Sequence, residues 1–259
     1  MVIVVTGANS FIGSAVTRRL RENGHTVYGL RHSIEEAPER NEIIPEKADI
    51  WVHFAWAGAG RDLRNNEDMQ RRSVEIAENA AQCANKLNCK RFIFAGSQAE
   101  IHGTSLYGIY KKKAAERIGE IFKGDLVHMR IFSVYGPGDH EGTLIEQIKE
   151  ACRNDSELIL GPCTQKWNFT FISDCAGAFL TVCEAKDTIN DTIDTGTDDI
   201  RELRSFVTEA YGELGGRREL RFGERGNNAE GAVDLIPDYK KLYSLGFRPE
   251  VSFREGIKQ

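Results

Sequence analysis

The chain opens on a run of β-branched residues, Val2 to Thr6, that passes straight into T-G-A-N-S-F-I-G and then into an apolar stripe at helical spacing. A continuously apolar strand handed to a helix across glycines has few structural solutions. Gly7 permits a tight turn, and Gly13 lets the helix pack close to the strand. The helix start offers free N–H groups and the positive end of its dipole, which suit a pyrophosphate. The N-terminus is therefore predicted to be the strand–turn–helix of a dinucleotide-binding unit. At the middle of the pattern stands Ser10 where a third glycine is usual, so a hydroxyl can bond phosphate while its Cβ narrows the approach.

The rest of the chain continues in alternating periods. Ile12, Ala15, Val16 and Leu20 stripe a helix over Ser10–Glu22, and Ala77, Ala80, Ala81 and Ala84 allow a long helix over Glu67–Leu87 to lie close on a sheet. Strands are predicted in H-T-V-Y-G-L (25–30), A-D-I-W-V-H-F-A (48–55), K-R-F-I-F-A-G (90–96) and D-L-V-H-M-R-I-F (125–132), with another helix over Tyr107–Phe122. Strands alternating with helices imply parallel pairing through right-handed crossovers, hence an α/β chain with a Rossmann-type doubly wound parallel sheet.

After about residue 136 the rhythm loosens into Y-G-P-G-D, a helix over Thr143–Cys152, and short elements in N-F-T-F-I, T-I-D-T-G and R-E-L-R-F-G. This predicts a dinucleotide-binding domain over 1–136, with returning segments from about 169–200, and a small C-terminal substrate-binding lobe over 137–259.

Composition removes other classes. At 41% hydrophobic and 28% charged the chain is neither disordered nor a membrane span, and a net charge of −5 gives no reason to expect nucleic acid or an anionic bilayer. The N-terminus has no secretory pattern, and the six cysteines form no C-x-x-C pair, which predicts reduced thiols, no metal and a cytoplasmic protein.

A second motif lies in A-G-S-Q-A-E-I-H-G-T-S-L-Y-G-I-Y-K. Tyr107 and Lys111 stand four apart on a helix and share a face. An ammonium beside a phenol favours the phenolate, so the tyrosine pKa is expected to fall towards working pH. Tyr107 could then pass a proton to or from a carbonyl oxygen, with Ser97 at the preceding strand end bonding the same oxygen. The end of the second predicted strand, Y-G-L-R-H-S, holds Arg31 and no acid, which favours the 2′-phosphate of NADP over the ribose hydroxyl of NAD.

These pieces, with D-I-W-V-H-F-A-W-A-G, F-I-F-A-G-S-Q-A-E-I-H-G, M-R-I-F-S-V-Y-G-P-G-D, W-N-F-T-F-I-S-D-C-A-G-A-F and L-G-F-R-P-E-V-S-F-R-E-G-I, resemble the extended short-chain dehydrogenase/reductase family in order along the whole chain. Within it they resemble the nucleotide-sugar epimerase/dehydratase/reductase branch, and G-S-Q-A-E with Gln165–Asp174 is most similar to the nucleotide-4-keto-sugar reductases. The resemblance implies Ser97, Tyr107 and Lys111 as the catalytic set. It implies Gly7, Asn9, Ser10, Phe11, Ile12 and Gly13 as the pyrophosphate cradle. Asp49 and Ile50 would lie near adenine, with Phe54, Ala55 and Ala57 along the cofactor and Ile131, Ser133 and Val134 beside nicotinamide and sugar. For the substrate it implies Gln98, Trp56, Trp167 and Asn168, with Arg221 and its neighbours Arg217, Arg218 and Arg225 as candidates for the diphosphate. A homodimer through the helices 67–87 and 107–122 is implied too.

The chain departs from the family in three places. Only eighteen residues separate Leu30 from Asp49, so a sheet strand or its crossover helix is expected to be short or missing. The loop between Ser97 and Tyr107 is clipped, and Glu100 alone stands where dehydratases carry an Asp-Glu pair, leaving dehydration unsupported. The expected activity is NADP-dependent reduction of a nucleotide-linked 4-keto-sugar. A 4-epimerase using retained NAD and a non-catalytic NADP-binding sensor are the alternatives.

Overall fold

A computed structural model of the protein describes residues 1–32, 42–226 and 233–259. Its first half builds β1 (Val2–Thr6), α1 (Phe11–Glu22), β2 (Thr26–Leu30), β3 (Ile50–His53), α2 (Glu67–Lys86), β4 (Arg91–Ser97), α3 (Leu106–Ile121) and β5 (Asp125–Ile131). The second half adds β6 (Val134–Tyr135), α4 (Leu144–Asn154), β7 (Leu158–Leu160), β8 (Lys166–Asn168), β9 (Thr170–Phe171), α5 (Ile172–Glu184) and β10 (Asp191–Thr195). It ends with β11 (Ile200–Glu202), α6 (Leu203–Glu213), β12 (Leu220–Phe222), α7 (Tyr239–Ser244) and α8 (Phe253–Gly256).

Six parallel strands form the central sheet in the order β10-β5-β4-β3-β1-β2. The chain steps outward from β1 to β2, then crosses back to β3 on the other side of β1. That reversal is where α/β sheets open a crevice at their carboxyl edge. Strand residues alternate between two cores. Ile3, Val5, Val52 and Ile93 face α1 and α5, while Val4, Trp51, Phe92 and Phe94 face α2 and α3. Small residues on α2 (Ala77, Ala80, Ala81 and Ala84, all fully buried) let that helix sit tightly on the aromatic face, as their spacing predicts.

The T-I-D-T stretch, within the 169–200 segments expected to return to the dinucleotide-binding domain, is β10 and pairs in register with β5 inside the main sheet. One expectation shifts. N-F-T-F-I does not form one element: β8 ends at Asn168, β9 spans two residues, and the helix α5 starts at Ile172. In the short stretch after Leu30, no described residue adds a strand outside β2, which stands at the sheet edge; residues 33–41, Ser33 among them, lie outside the described residues.

Asp174 shows why a carboxylate stands in the first turn of α5. It is 3% exposed, and its two oxygens accept the backbone N–H groups of Glu250 (3.0 Å) and Val251 (3.1 Å), fastening the C-terminal L-G-F-R-P-E-V segment to the helix. Asp174→Ala leaves both donors without that partner and is expected to cost about 2 kcal/mol in urea unfolding. A change below about 0.5 kcal/mol would mean that water replaces the carboxylate at no cost.

Candidate active site

The turn after β1 takes the conformation its glycines allow. Gly7 has φ +70°, and a Cβ on it would lie 2.8 Å from Ala55 N, so the turn presses against the chain leaving β3. A Cβ on Gly13 would lie 2.2 Å from Gly7 O. Ser10 is the N-cap of α1: its Oγ accepts Gly13 N at 3.1 Å and donates to Gly7 O at 2.8 Å. The hydroxyl is thus already engaged in shaping the cradle. Phe11 N–H and Ile12 N–H take no acceptor among the described residues and remain at the helix start. Asn9 and Ser10 are exposed, and Phe11 meets His140 of the following lobe edge to face at 6.1 Å. This cradle fits a dinucleotide diphosphate.

The catalytic candidates meet at the ends of the neighbouring strands. Ser97 closes β4, aligned with Ile131 on β5. Its Oγ accepts Ala99 N at 3.2 Å, its N–H donates to Glu100 Oε1 at 2.6 Å, and it stands close enough to the Tyr107 hydroxyl to favour the phenolate. Gln98 turns to Ser133, with Nε2 3.3 Å from the serine Oγ, so the β4 and β5 ends share one polar rim. Ser105 N-caps α3 through Gly108 N, while Tyr107 N donates to Arg64 O (2.9 Å) and Leu106 N to Asn65 Oδ1 (3.2 Å). The first turn of α3, and Tyr107 with it, is fixed from both sides.

Lys111 is 3% exposed and takes a path that its spacing from Tyr107 does not reveal. Its Nζ donates to Ala95 O at 2.7 Å and lies 4.1 Å from the Trp56 ring centroid, 4.9 Å from that of Phe94 and 5.8 Å from that of Tyr107. Burial pushes the ammonium down to about 7, partly opposed by Glu100. Tyr107 does not have the lowered pKa expected of it. Burial pushes the phenol up, against the Arg64 guanidinium, 5.1 Å from its ring centroid, and the Ser97 hydrogen bond, with Glu100 adding to the rise. The tyrosine is therefore a proton holder at neutral pH.

Trp56, expected along the substrate, instead forms the platform for the lysine. Its indole stands perpendicular to Tyr107 at 6.1 Å and donates Nε1–H to Gln70 Oε1 at 2.9 Å. Gln70 is fully buried and is held in turn by Gly58 O and Leu63 O. His53 is also fully buried, bonded through Nδ1 to Thr6 Oγ1 at 2.7 Å, and burial lowers its pKa to about 3, so it stays neutral, as a structural histidine should.

Three other residues are placed away from their expected roles. Asp49 stands at the amino end of β3, where its Oδ2 accepts Val2 N at 2.7 Å, so it clamps the strand starts at the edge opposite the glycine turn. Ile50 beside it is 4% exposed and pairs with Ile3 in the core. Neither is near the end where adenine would lie. Asn168 is 1% exposed and spends its amide on Thr197 and Asp199, with Oδ1 accepting Thr197 N, which leaves no group for a substrate.

The remaining predicted residues keep to their strand ends or to the second half. Phe54 meets Phe179 at 4.8 Å with the rings tilted, Ala57 N donates to Ser73 Oγ at 3.0 Å, and Val134 pairs with Thr170. Trp167 is half-buried beside Phe169 and its Nε1 finds no partner among the described residues. Of the arginines, Arg221 pairs with Glu157 and Glu224, Arg218 with Asp155, and Arg225 reaches Gln147.

Sequence reading missed Glu42. Its carboxylate lies at the end of β2, accepting Arg31 N at 3.0 and 3.2 Å, His32 N at 3.3 Å and the His32 ring Nδ1 at 3.0 Å. Y-G-L-R-H-S contains no acid, yet an acid stands there, because the chain returns eleven residues later. No local pattern announces it.

The depressed lysine pKa has a kinetic consequence. If the reaction needs the Lys111 ammonium, kcat/KM falls about tenfold per pH unit above about 7, because the charge is present below that pKa and lost above it. A profile flat from about pH 6 to 9 would show that the lysine charge is not required.

The model of the NAD dependent epimerase/dehydratase family matches residues 3–196. A CDP-abequose synthase of Yersinia pseudotuberculosis is 26% identical over 93% of each chain. Among solved structures, a UDP-glucose 4-epimerase of Thermotoga maritima with UDP-glucose superposes with a TM-score of 0.80 at 23% identity, covering 100% of this chain and 96% of that one. A UDP-glucuronic acid 4-epimerase of Bacillus cereus in complex with NAD gives 0.80 at 20% identity, with the same coverage. At such identities the superpositions speak for the fold. Family model, six-stranded sheet and glycine turn agree, and the chain belongs to the NAD dependent epimerase/dehydratase family of nucleotide-sugar enzymes.

Proposed function

We propose that the protein reduces a nucleotide-linked 4-keto-sugar, taking hydride from a reduced nicotinamide dinucleotide and a proton from Tyr107. The observation that supports this most is the Tyr107 hydroxyl, kept protonated by burial and set beside Ser97 at the carboxyl end of β4. A phenol poised to donate suits an acid more than a base. The dinucleotide supplies or accepts hydride when bound, with its diphosphate on Gly7, Phe11, Ile12 and Gly13.

Ser97 and Tyr107 would hold the sugar C4 oxygen between two donors, so that negative charge developing on it is met without rearrangement. Tyr107 then releases its proton to that oxygen, and the Lys111 ammonium, 5.8 Å from the ring centroid, favours the phenolate left behind. Gln98 and Ser133 would border the sugar. The second half outside the six-stranded sheet would form the substrate lobe, with Trp167 facing the nucleotide and Arg221 released from its glutamates to meet phosphate. Two copies are proposed to pair through α2 and α3, where Ile109 is 47% exposed.

In the sequence, Arg31 and the missing acid favour NADPH as donor. Glu42 now stands at that strand end, so the phosphate state of the cofactor turns on this carboxylate. A 4-epimerase is the second reading, favoured by that same acid, since epimerisation works on a retained NAD.

The test is consumption of NADPH and NADH with dTDP- and CDP-4-keto-6-deoxyglucose. Steady oxidation of either dinucleotide supports reduction. Interconversion of UDP-hexoses with no net consumption moves the assignment to epimerisation, and binding without any turnover moves it to a sensor.

A further inference from the structure

We infer that Trp56 is a positioning residue of the site, its indole face holding the Lys111 side chain as a charged ammonium beside Tyr107. The inference rests on the reading of Lys111 as the charged partner of the tyrosine. It concerns what keeps that charge in place, which spacing along α3 does not supply.

The buried amine is poorly provided with oxygen. An ammonium carries three N–H donors, and among the described residues only Ala95 O, at 2.7 Å, accepts from this one. What else surrounds it is aromatic: the ring centroids of Trp56 (4.1 Å), Phe94 (4.9 Å) and Tyr107 (5.8 Å). The indole is the nearest of the three and the best partner for a cation. With Lys111 only 3% exposed, that contact favours the charged form, whereas burial favours the neutral amine.

The indole is itself held, from α2. Its Nε1–H donates to Gln70 Oε1 at 2.9 Å, and the Gln70 amide donates to Gly58 O and Leu63 O at 2.9 Å each. A Cβ on Gly58 would stand 2.1 Å from Gln70 Nε2, so a glycine is needed where that amide lies against the chain leaving β3. The same stretch of chain runs on to Arg64 and Asn65, whose backbone O and Oδ1 accept Tyr107 N and Leu106 N. One buried glutamine therefore fixes both the platform under the lysine and the loop that holds the tyrosine's turn.

The titratable groups around Nζ do not replace the ring. Glu100, after β4, favours the ammonium by its charge but spends its oxygens on Ser97 N and His128. His53 on β3 is buried and neutral, and Tyr107 on α3 keeps its proton. Arg64, over the Tyr107 ring, adds positive charge. The indole is left, with Ala95 O, to hold the lysine charge.

That charge can be read directly, without a substrate. Protein isotope-labelled at lysine Cε is titrated by NMR from about pH 5 to 10, with Lys111 assigned as the signal missing from Lys111→Met. Loss of a desolvated cation–π contact predicts that Trp56→Leu moves the Lys111 midpoint about one pH unit below wild type. Trp56→Phe, which keeps a ring, should lie between the two. A Trp56→Leu protein that melts cooperatively yet titrates at or above the wild-type midpoint would overturn the inference, since water would then serve the amine as well as the indole does. If Trp56→Leu does not fold, Trp56→Phe decides: a midpoint below wild type supports the inference, and an unchanged one overturns it. Once turnover is measured, the alkaline limb of kcat/KM should move down with the midpoint. A midpoint that moves while the limb stays keeps the inference and removes the lysine charge from the reaction.

Discussion

Replacing Tyr107 with phenylalanine is expected to lower kcat by about 10²–10⁴-fold, the usual contribution of a positioned general acid, while leaving dinucleotide affinity nearly unchanged. The substitution removes one oxygen. The ring keeps its perpendicular contact with Trp56 at 6.1 Å and stays beneath the Arg64 guanidinium. The backbone of α3 is fixed by Ser105, Asn65 and Arg64 O, none of which needs the hydroxyl. Lys111 also stays in place, since its amine rests on Ala95 O and the Trp56 face. A loss in kcat with an unchanged melting temperature and unchanged dinucleotide binding would separate chemistry from folding. A variant that retains more than about a third of wild-type kcat would mean that the proton comes from another group.

Arg91→Ala is expected to have the largest effect on stability, about 3–5 kcal/mol. Arg91 begins β4 and is only 7% exposed. Its Nη1 donates to Val182 O (2.7 Å) and Ala185 O (2.9 Å), its Nη2 to Asp187 O (2.7 Å), with Asp125 at 3.5 Å. Two of these carbonyls belong to the end of α5, where a helix leaves its last C=O groups unpaired and its dipole negative. One guanidinium therefore finishes the helix, holds the loop to β10 and ties both to the sheet. Alanine strands these acceptors and an aspartate near them. Arg91→Lys, a point charge without the planar fork, should recover only part of the loss. Chemical denaturation gives the number directly, and a loss below about 1 kcal/mol would show that the carbonyls find water.

The parts of the fold legible in the sequence are those whose cause is local. The glycines at 7 and 13 are required by a turn that closes within one strand–helix unit, and the spacing of Tyr107 and Lys111 puts both on one face of α3. What the sequence hid depends on where distant segments arrive. Glu42 stands at the end of β2, where Y-G-L-R-H-S holds no acid, and comes there from eleven residues further along the chain, a distance that no local pattern spans. Asp49 shows the reverse error: an acid placed near adenine by resemblance sits at the amino edge, because its carboxylate serves Val2 N at the start of β1. For Lys111, helical spacing gave the neighbour but not the direction of the amine, which Trp56 and Phe94 capture. Asn168 falls in a motif that looks like substrate-binding sequence, yet its amide holds the turn at Thr197–Asp199.

The most direct test follows the hydride itself. Wild type is incubated with a nucleotide-linked 4-keto-6-deoxyhexose and a reduced dinucleotide deuterated at the transferring position of its nicotinamide, NADH and NADPH in parallel, and the sugar product is read by NMR. The account predicts deuterium at sugar C4 with wild type, and almost none over the same time with Tyr107→Phe. A protein that binds the dinucleotide yet delivers no deuterium to C4 of any such sugar would contradict it.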